Sequence, residues 1–278
     1  MSQSLHIETF GSYETTPQHL VLIHGWGMHG AVWQPLVKSL SKRFYLHVVD
    51  LPGMGMSQPM ASHELETVAA RLLEALPAEA DICGWSLGGL ISMRMALMQP
   101  ERVKRLVLVG STPCFVNQAG KVNQAGKLNQ ADKTAWQDGI NAEVFRDFAL
   151  QVSVDYESTM LKFLTLQCMG SRDTRSIIKQ LRESFAERPS PSVAALQDAL
   201  DMLLENDLRP EVPMLQTPTL LIHGDRDTLA PVQAANWMSQ HLPQSSLRVI
   251  AGASHAPFLS HTEQFTETLL QFLEPQNP

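Results

Sequence analysis

Residues 81–98 have the sequence DICGWSLGGLISMRMALM, in which a G-x-S-x-G pattern follows a short apolar run and precedes a periodic apolar stretch. The first run predicts a strand, and the apolar residues at three- and four-residue spacing after the pattern predict a helix. Glycines beside Ser86 suit a tight strand-to-helix turn, because neighbouring backbone approaches such a turn too closely for a Cβ atom. Ser86 is therefore a candidate nucleophile; a serine in an ordinary glycine-rich turn is the alternative.

Similar apolar runs recur along the chain, separated by stretches with helical periodicity. The predicted strands cover residues 19–23, 45–49, 81–84, 106–109, 219–222 and 247–250, and the predicted helices cover 65–76, 87–98 and 262–273. This alternation is typical of a parallel sheet whose two faces are covered by helices. The predicted fold class is α/β, with a mostly parallel central sheet.

The alternation stops between about residues 115 and 210, where amphipathic helical patterns replace the strand signals. We interpret the chain as a first core part at 1–114, a helical lid inserted at 115–210 and a second core part at 211–278. At the start of the insertion, residues 117–134 form the three repeats NQAGKV, NQAGKL and NQADKT. They carry too little apolar surface to pack as a core, so we expect a mobile loop.

Composition excludes several classes of protein. The 278 residues are 44% hydrophobic, enough for a sizeable core, and 21 basic against 28 acidic residues give a net charge of −7, which argues against a surface built to grip nucleic acid. No apolar run approaches the roughly 18 residues of a membrane helix, and the N-terminus lacks a secretory pattern. Cys83, Cys114 and Cys168 have no CxxC spacing and fit neither a disulfide framework nor a zinc cluster. We expect a soluble, cytoplasmic monomer.

A serine nucleophile needs a base to take its proton and a carboxylate to orient that base. The predicted strand at 219–222 is followed by HGDRDTLAP, and the strand at 247–250 by AGASHAPF. These loops place His255 and a carboxylate, Asp225 or Asp227, at the carboxyl ends of two strands, where open parallel sheets carry their sites. His223 is expected to pack at a strand end, and His261 to cap the final helix or lie on the surface.

The first predicted strand ends in HGWG at 24–27, a loop that is suited to receive the oxyanion of a tetrahedral intermediate. The expected donors are the backbone N–H groups of Leu87 and Trp26. For His24-Gly25, a tight turn that ends a core strand is the plainer alternative. The Gly-x-Gly at 53–55 lacks the full dinucleotide pattern, and neither a phosphate loop nor a spaced set of metal ligands is found, so we predict no cofactor and no metal.

The segments HGWG, VDLPGMGMS, GWSLGG, GDRDTLAP and SHAPF, in this order, resemble those of the α/β-hydrolases over about residues 19–114 and 217–273. The order serine, acid, histidine is also that of these enzymes. The resemblance implies Asp227, the second carboxylate of its turn, as the acid. Within this superfamily the chain is most similar to the pimeloyl-[acyl-carrier protein] methyl ester esterases of biotin synthesis, because it also has STPCF at 111–115, FLTLQ at 163–167 and HAPF at 255–258.

That resemblance implies a serine carboxylesterase that cleaves the methyl ester of a pimeloyl chain held on acyl-carrier protein. The substrate contacts that it implies are Trp26, Ser86, Leu87, Phe163, Leu164, Thr165, Leu166, Gln167 and His255. Two other functions fit the sequence. One is a broad carboxylesterase for short-chain acyl esters, and the other is a hydrolase scaffold that binds a ligand without catalysis.

Basic residues of the predicted insertion give an independent indication. Arg172, Arg175, Lys179 and Arg182 fall at three- and four-residue spacing, so on a helix they form one basic stripe, and Lys162 precedes them as a further candidate. A solvated helix face is the plain interpretation. The sharper one is a docking surface for an acidic acyl-carrier protein. The expected partner is therefore that carrier, with neither nucleic acid nor membrane involved.

Overall fold

A seven-stranded sheet forms the centre of the residues that the computed structural model describes, which are 4–118, 135–167, 174–186 and 188–274. Its strands are β1 (Ile7–Phe10), β2 (His19–Ile23), β3 (Tyr45–Val49), β4 (Ala80–Trp85), β5 (Val103–Val109), β6 (Thr219–Gly224) and β7 (Ser245–Ile250). Their spatial order is β1-β3-β2-β4-β5-β6-β7. Neighbouring strands pair in parallel, except that β1 pairs antiparallel with β3.

The described residues also form ten α-helices. They are α1 (Gln34–Leu40), α2 (Leu65–Ala75), α3 (Leu87–Met98), α4 (Ala142–Val154), α5 (Tyr156–Gln167), α6 (Thr174–Ala186), α7 (Val193–Glu205), α8 (Val232–His241), α9 (Pro257–Ser260) and α10 (Thr262–Leu273). Short 3-10 helices lie at Gly30–Trp33, Pro100–Arg102 and Val212–Met214. Of the helices described, none combines the length and the apolar composition that crossing a membrane requires.

The core follows from the apolar runs. In β2, Leu20, Val21, Leu22 and Ile23 are completely buried, because helices cover both faces of a parallel sheet and leave no strand face for polar residues. Along α2 the buried residues include Leu65, Val68, Ala69, Leu72 and Leu73, which recur with the helical repeat on one face. The sheet is therefore sandwiched between apolar helix faces.

The strand register brings the carboxyl ends of the central strands to one level. Ile23 of β2 pairs with Gly84 of β4, and Trp85 pairs with Val109 of β5. Val109 pairs with Ile222 of β6, and Gly224 pairs with Ile250 of β7. Loops that leave these strands consequently start side by side at one edge of the sheet.

Between β5 and β6 the described residues form four α-helices, α4 to α7; we refer to them as the inserted helices. The proposed boundaries at 114/115 and 210/211 stay a prediction. Of the six-residue repeats, only Asn117 and Gln118 lie within the described residues. Gln118 pairs antiparallel with Trp136, and the Asn117 side chain accepts a hydrogen bond from the Gly139 N–H (3.1 Å).

The predicted α/β class and its mostly parallel sheet are confirmed, and each of the six predicted strands lies within an observed one. The predicted helices at 87–98 and 262–273 have the observed bounds of α3 and α10. Strand β1 was not predicted. Its four residues, IETF, form an antiparallel edge and are too few to show a pattern.

Candidate active site

The loops after β4, β6 and β7 bring Ser86, Asp227 and His255 together. His255 Nδ1 lies 2.8 Å from Asp227 Oδ2, and both side chains are almost completely buried. Ser86 and His255 line the same cavity. Because the carboxylate accepts the Nδ1 hydrogen, Nε2 of His255 remains available to take a proton.

The turn at Ser86 is strained. Ser86 has φ 55° and ψ −118° and is the one residue other than glycine with positive φ in the part of the chain that is described. Such backbone conformations cost about 1–3 kcal/mol and are typical of functional sites. Its N–H donates to Val109 O (2.9 Å), and a Cβ at Gly88 would lie 2.3 Å from Ile23 O. The glycine and the strained serine therefore allow α3 to begin directly against β2.

Asp227 is held as an acceptor on both oxygens. Its Oδ1 accepts the N–H groups of Leu229 and Ala230, each at 2.9 Å, while Oδ2 faces His255. Asp225, the other candidate, is exposed, and its Oδ1 accepts the Gly252 N–H (2.7 Å). Of the two carboxylates, Asp227 is the one that the structure pairs with the histidine.

The loop after β2 is ordered by a neutral histidine. His24 is completely buried; its Nδ1 donates to Gly25 O (2.8 Å), and its Nε2 accepts the Leu51 N–H (2.9 Å). Burial lowers the pKa of His24 to about 4. Trp26 follows in this loop, and its ring N–H donates to Leu196 O of α7 (2.8 Å). The HG turn thus positions the start of this loop, and α7 holds the Trp26 ring.

Leu87 is the first residue of α3, where backbone N–H groups have no partner within the helix. Its side chain is completely buried and the residue lies outside the lining of the Ser86 cavity, so a role for Leu87 in catalysis depends on its backbone N–H. Two main-chain donors, from Leu87 and Trp26, are therefore the candidates for receiving an oxyanion.

Ser86 and His255 open onto a mainly apolar cavity of about 360 Å³. Its other lining residues are Trp26, Phe115, Ile140, Val144, Phe145, Phe148, Phe163, Leu200, Leu203, Thr228 and Leu229. Trp26 packs against Phe148 and Phe163, with ring centroids 5.3 and 5.7 Å apart. Such a cavity suits an apolar ligand that meets a few polar groups at one end.

Some of the predicted substrate contacts line the cavity and others do not. Phe163 lines the cavity, whereas Thr165 is exposed, lies outside the lining and donates its hydroxyl to Leu161 O (2.7 Å). Helix α5 includes Leu164, Leu166 and Gln167, but their side chains lie outside the described part of the structure. Helices α4 and α7 contribute five further lining residues that were not predicted from the sequence: Val144, Phe145, Phe148, Leu200 and Leu203. Helical periodicity in those stretches indicated a buried face but not what that face contacts.

The sequence also predicts a set of basic residues as a docking surface for the carrier. Lys162 on α5 and Arg175, Lys179 and Arg182 on α6 are all exposed, and Arg172 lies outside the described residues.

His223 is completely buried at the end of β6, as predicted, and burial lowers its pKa to about 4. His261 precedes α10 but makes no side-chain cap; its Nδ1 bonds to the Ser260 hydroxyl (2.9 Å). Within the described residues, no three His, Cys, Asp or Glu side chains form a group that could hold a metal ion.

The site also contains Trp85, which the sequence analysis did not single out although it precedes the candidate nucleophile. Its ring N–H donates to His255 O (2.9 Å), and the two rings lie 5.7 Å apart. Trp85 therefore ties the end of β4 to the loop that carries the candidate base.

Comparison with known proteins identifies the family of this chain. Residues 18–262 match the family model described as alpha/beta hydrolase fold. The chain is 43% identical over 262 residues to a pimeloyl-[acyl-carrier protein] methyl ester esterase of Nitrosomonas europaea, covering 94% of this chain and 96% of the relative. It is 38% identical over 277 residues to the enzyme of that name from Aliivibrio salmonicida, covering 100% and 98%.

Solved structures support the fold. A bromoperoxidase from Bacillus anthracis superposes with a TM-score of 0.81 at 24% identity, over 98% of this chain and 95% of that one. The esterase EaEST from Exiguobacterium antarcticum superposes with a TM-score of 0.78 at 22% identity, over 96% of this chain and 94% of that one. The family model and the sequence relatives show that the chain belongs to the alpha/beta hydrolase family and, within it, to the pimeloyl-[acyl-carrier protein] methyl ester esterases.

Proposed function

We propose that this chain is a serine carboxylesterase that cleaves the methyl ester of pimeloyl-[acyl-carrier protein] methyl ester, releasing methanol and carrier-bound pimeloyl acid. The observation that supports this most is the combination of full-length relatives of that name with one apolar cavity that contains both Ser86 and His255. No cofactor takes part in the proposed reaction.

In the proposed mechanism, Ser86 Oγ attacks the ester carbonyl carbon and His255 Nε2 takes the hydroxyl proton. The tetrahedral intermediate collapses, the bond to the methoxy oxygen breaks, and His255 returns the proton so that methanol leaves. Water then attacks the acyl-enzyme by the same route and frees Ser86. Asp227 holds the imidazole and stabilises its charged form through the 2.8 Å bond to Nδ1.

The carbonyl oxygen becomes negatively charged in both tetrahedral intermediates. We assign the backbone N–H groups of Leu87 and Trp26 as its donors, because one begins α3 beside Ser86 and the other is held by the loop after β2. Each such donor is typically worth about 3 kcal/mol of transition-state stabilisation.

The lining of the cavity supports an ester with an aliphatic chain. Apart from Ser86, Thr228 and His255, the lining side chains are hydrocarbon or aromatic, and no lining residue in the described chain is a lysine, arginine or carboxylate. A neutral methyl ester loses little on entering such a surface, whereas the carboxylate product would lose its hydration without gaining a cation. The apolar walls therefore favour substrate entry and product release.

We also propose that the acidic carrier docks on the exposed cations Lys162, Arg175, Lys179 and Arg182 of α5 and α6, with Arg172 as a further predicted member. A monomer in the cytoplasm is part of the same proposal. The unpaired, buried thiols of Cys83 and Cys114 fit a reducing compartment.

Steady-state hydrolysis tests the proposal. Wild type and Ser86→Ala are compared on pimeloyl-carrier methyl ester and on a short p-nitrophenyl ester. We expect wild type to prefer the carrier-bound ester and the variant to be inactive on both. Cleavage of the short ester alone would identify a broad carboxylesterase, and failure of a fluorophosphonate probe to label Ser86 would identify a non-catalytic scaffold.

A further inference from the structure

Ser111 contacts the candidate nucleophile from the end of the neighbouring strand. It follows β5 after Gly110, is completely buried, and its hydroxyl donates to the backbone carbonyl of Ser86 at 2.9 Å. Ser111 lies outside the lining of the cavity. Any effect of Ser111 on the reaction must therefore act through its contact with Ser86.

The carbonyl that Ser111 holds belongs to the same peptide group as the Leu87 N–H. A peptide group is planar and trans, so its C=O and N–H point in opposite directions and rotate as one unit. Fixing Ser86 O therefore fixes the direction of the Leu87 N–H. That N–H is one of the two donors assigned to the oxyanion.

The surrounding atoms leave little room for this contact to rearrange. A Cβ at Gly89 would lie 2.5 Å from the Cβ and Oγ of Ser111, so Ser111 packs directly against the first turn of α3. Ser86 O also accepts the N–H groups of Gly89 (2.9 Å) and Leu90 (3.1 Å), both from that helix. The Ser111 hydroxyl adds a bond from outside the helix, from the loop that follows β5.

We propose that Ser111 is a positioning residue for the oxyanion hole, because its hydroxyl orients the Ser86–Leu87 peptide group so that the Leu87 N–H faces the developing negative charge. This inference rests on the roles proposed above for Ser86 and Leu87. It gives a function to Ser111, the first residue of the STPCF segment; of this segment, Phe115 lines the cavity and Ser111 does not.

Ser111→Ala tests this role, and Ser92→Ala is a matched control. Ser92 is also completely buried, and its hydroxyl also donates to a backbone carbonyl, Gly88 O at 2.6 Å, but that peptide group carries no assigned oxyanion donor. Ser111→Cys replaces the hydroxyl with a somewhat larger thiol, which is a weaker donor. A short p-nitrophenyl ester serves as substrate, so the result does not depend on the carrier.

We expect Ser111→Ala to lower kcat about tenfold with KM changed less than about twofold, since misdirecting a donor costs less than deleting it. Binding of a trifluoromethyl ketone should weaken by a similar factor. Ser86 Oγ adds to the ketone carbon, its proton passes to His255, and the ketone oxygen becomes an oxyanion in the same hole. Ser111→Cys should fall between Ser111→Ala and wild type.

A purely structural role would lower the thermal midpoint and leave kcat and ketone affinity of the folded fraction equal to those of Ser92→Ala, which would overturn the inference. Ser86→Ala separates this failure from that of the proposed function. If Ser86→Ala stays active, the assignment of the nucleophile is wrong; if it is inactive while Ser111→Ala behaves as the control does, only the role of Ser111 is wrong.

Discussion

Arg188 Nη1 lies 2.6 Å from both carboxylate oxygens of Asp50, and this ion pair joins the link between α6 and α7 to the end of β3. Arg188 Nη2 also donates to Glu8 Oε2 of β1 (2.7 Å). Asp50 is completely buried and accepts the N–H groups of Gly30 (2.7 Å) and Met56 (2.9 Å). The inserted helices are thus anchored to the sheet by a buried charge.

Removing the cation should therefore be costly. Arg188→Met leaves a buried, unpaired carboxylate, and we expect the free energy of unfolding to fall by about 3–5 kcal/mol in urea titrations. Arg43→Met is the matched control, because Arg43 pairs with Glu274 on the surface, with side chains 57% and 39% exposed. Arg43→Met should lower the free energy of unfolding by about 1 kcal/mol or less. Equal losses in the two variants would contradict the importance of the buried pair.

Buried histidines should make the stability depend on pH. His24, His29, His47 and His223 each have a pKa lowered from 6.5 to about 4, chiefly by burial. As the pH falls through 6.5 these imidazoles take up protons in the unfolded chain, but in the folded chain they stay neutral until about pH 4. Stability is therefore full above this window and declines as the pH falls through it. A fully buried imidazole such as His24 contributes up to about 3 kcal/mol of that decline.

The measurement is the free energy of unfolding at several pH values across the window. His223 is suited to substitution because it is completely buried and lies outside the cavity lining. In this pH window His223→Phe should reduce the number of protons taken up on unfolding by about one, so the free energy of unfolding should depend less steeply on pH. An unchanged slope would show that His223 is protonated equally in both states.

The two carboxylates of the β6 loop offer a direct test of the acid. Asp227→Asn removes the charge that holds His255 and favours the wrong tautomer, so kcat should fall by about 10⁴-fold. Asp225→Asn changes an exposed side chain whose one described hydrogen bond is from the Gly252 N–H, and kcat should change less than about twofold. A larger loss in Asp225→Asn would reverse the assignment.

The fold could be predicted from the sequence where a signal is local. HLVLI shows the continuous apolar run of a strand buried on both faces, and GWSLGG shows the turn between a strand and a helix. The anchor at Arg188 could not be predicted, because its partners Asp50 and Glu8 lie 138 and 180 residues away in the chain. The same limit applies to the cavity. Periodicity predicts which face of a helix is buried, but only tertiary packing decides that Phe148 and Leu200 face Ser86.

The last prediction concerns the basic face of α6. Arg175 and Lys179 are four residues apart on the helix and exposed, and the ion pair from Lys179 to Glu183 (3.8 Å) has side chains 77% and 62% exposed, so it holds Lys179 only weakly. An acidic carrier should therefore compete for both cations. Arg175→Glu with Lys179→Glu is expected to raise KM for the carrier-bound ester about tenfold, with less effect at high salt.

The control reverses two other exposed cations, Lys38 on α1 and Lys42 just after it, and so changes the net charge equally. This variant should keep KM for the carrier-bound ester within about twofold of wild type, because neither Lys38 nor Lys42 belongs to the proposed docking surface. Free dimethyl pimelate should be cleaved equally by both double variants. If the α6 variant loses activity on the free diester as well, the helix acts on the cavity and not on the carrier, because only the carrier-bound ester carries the acidic surface.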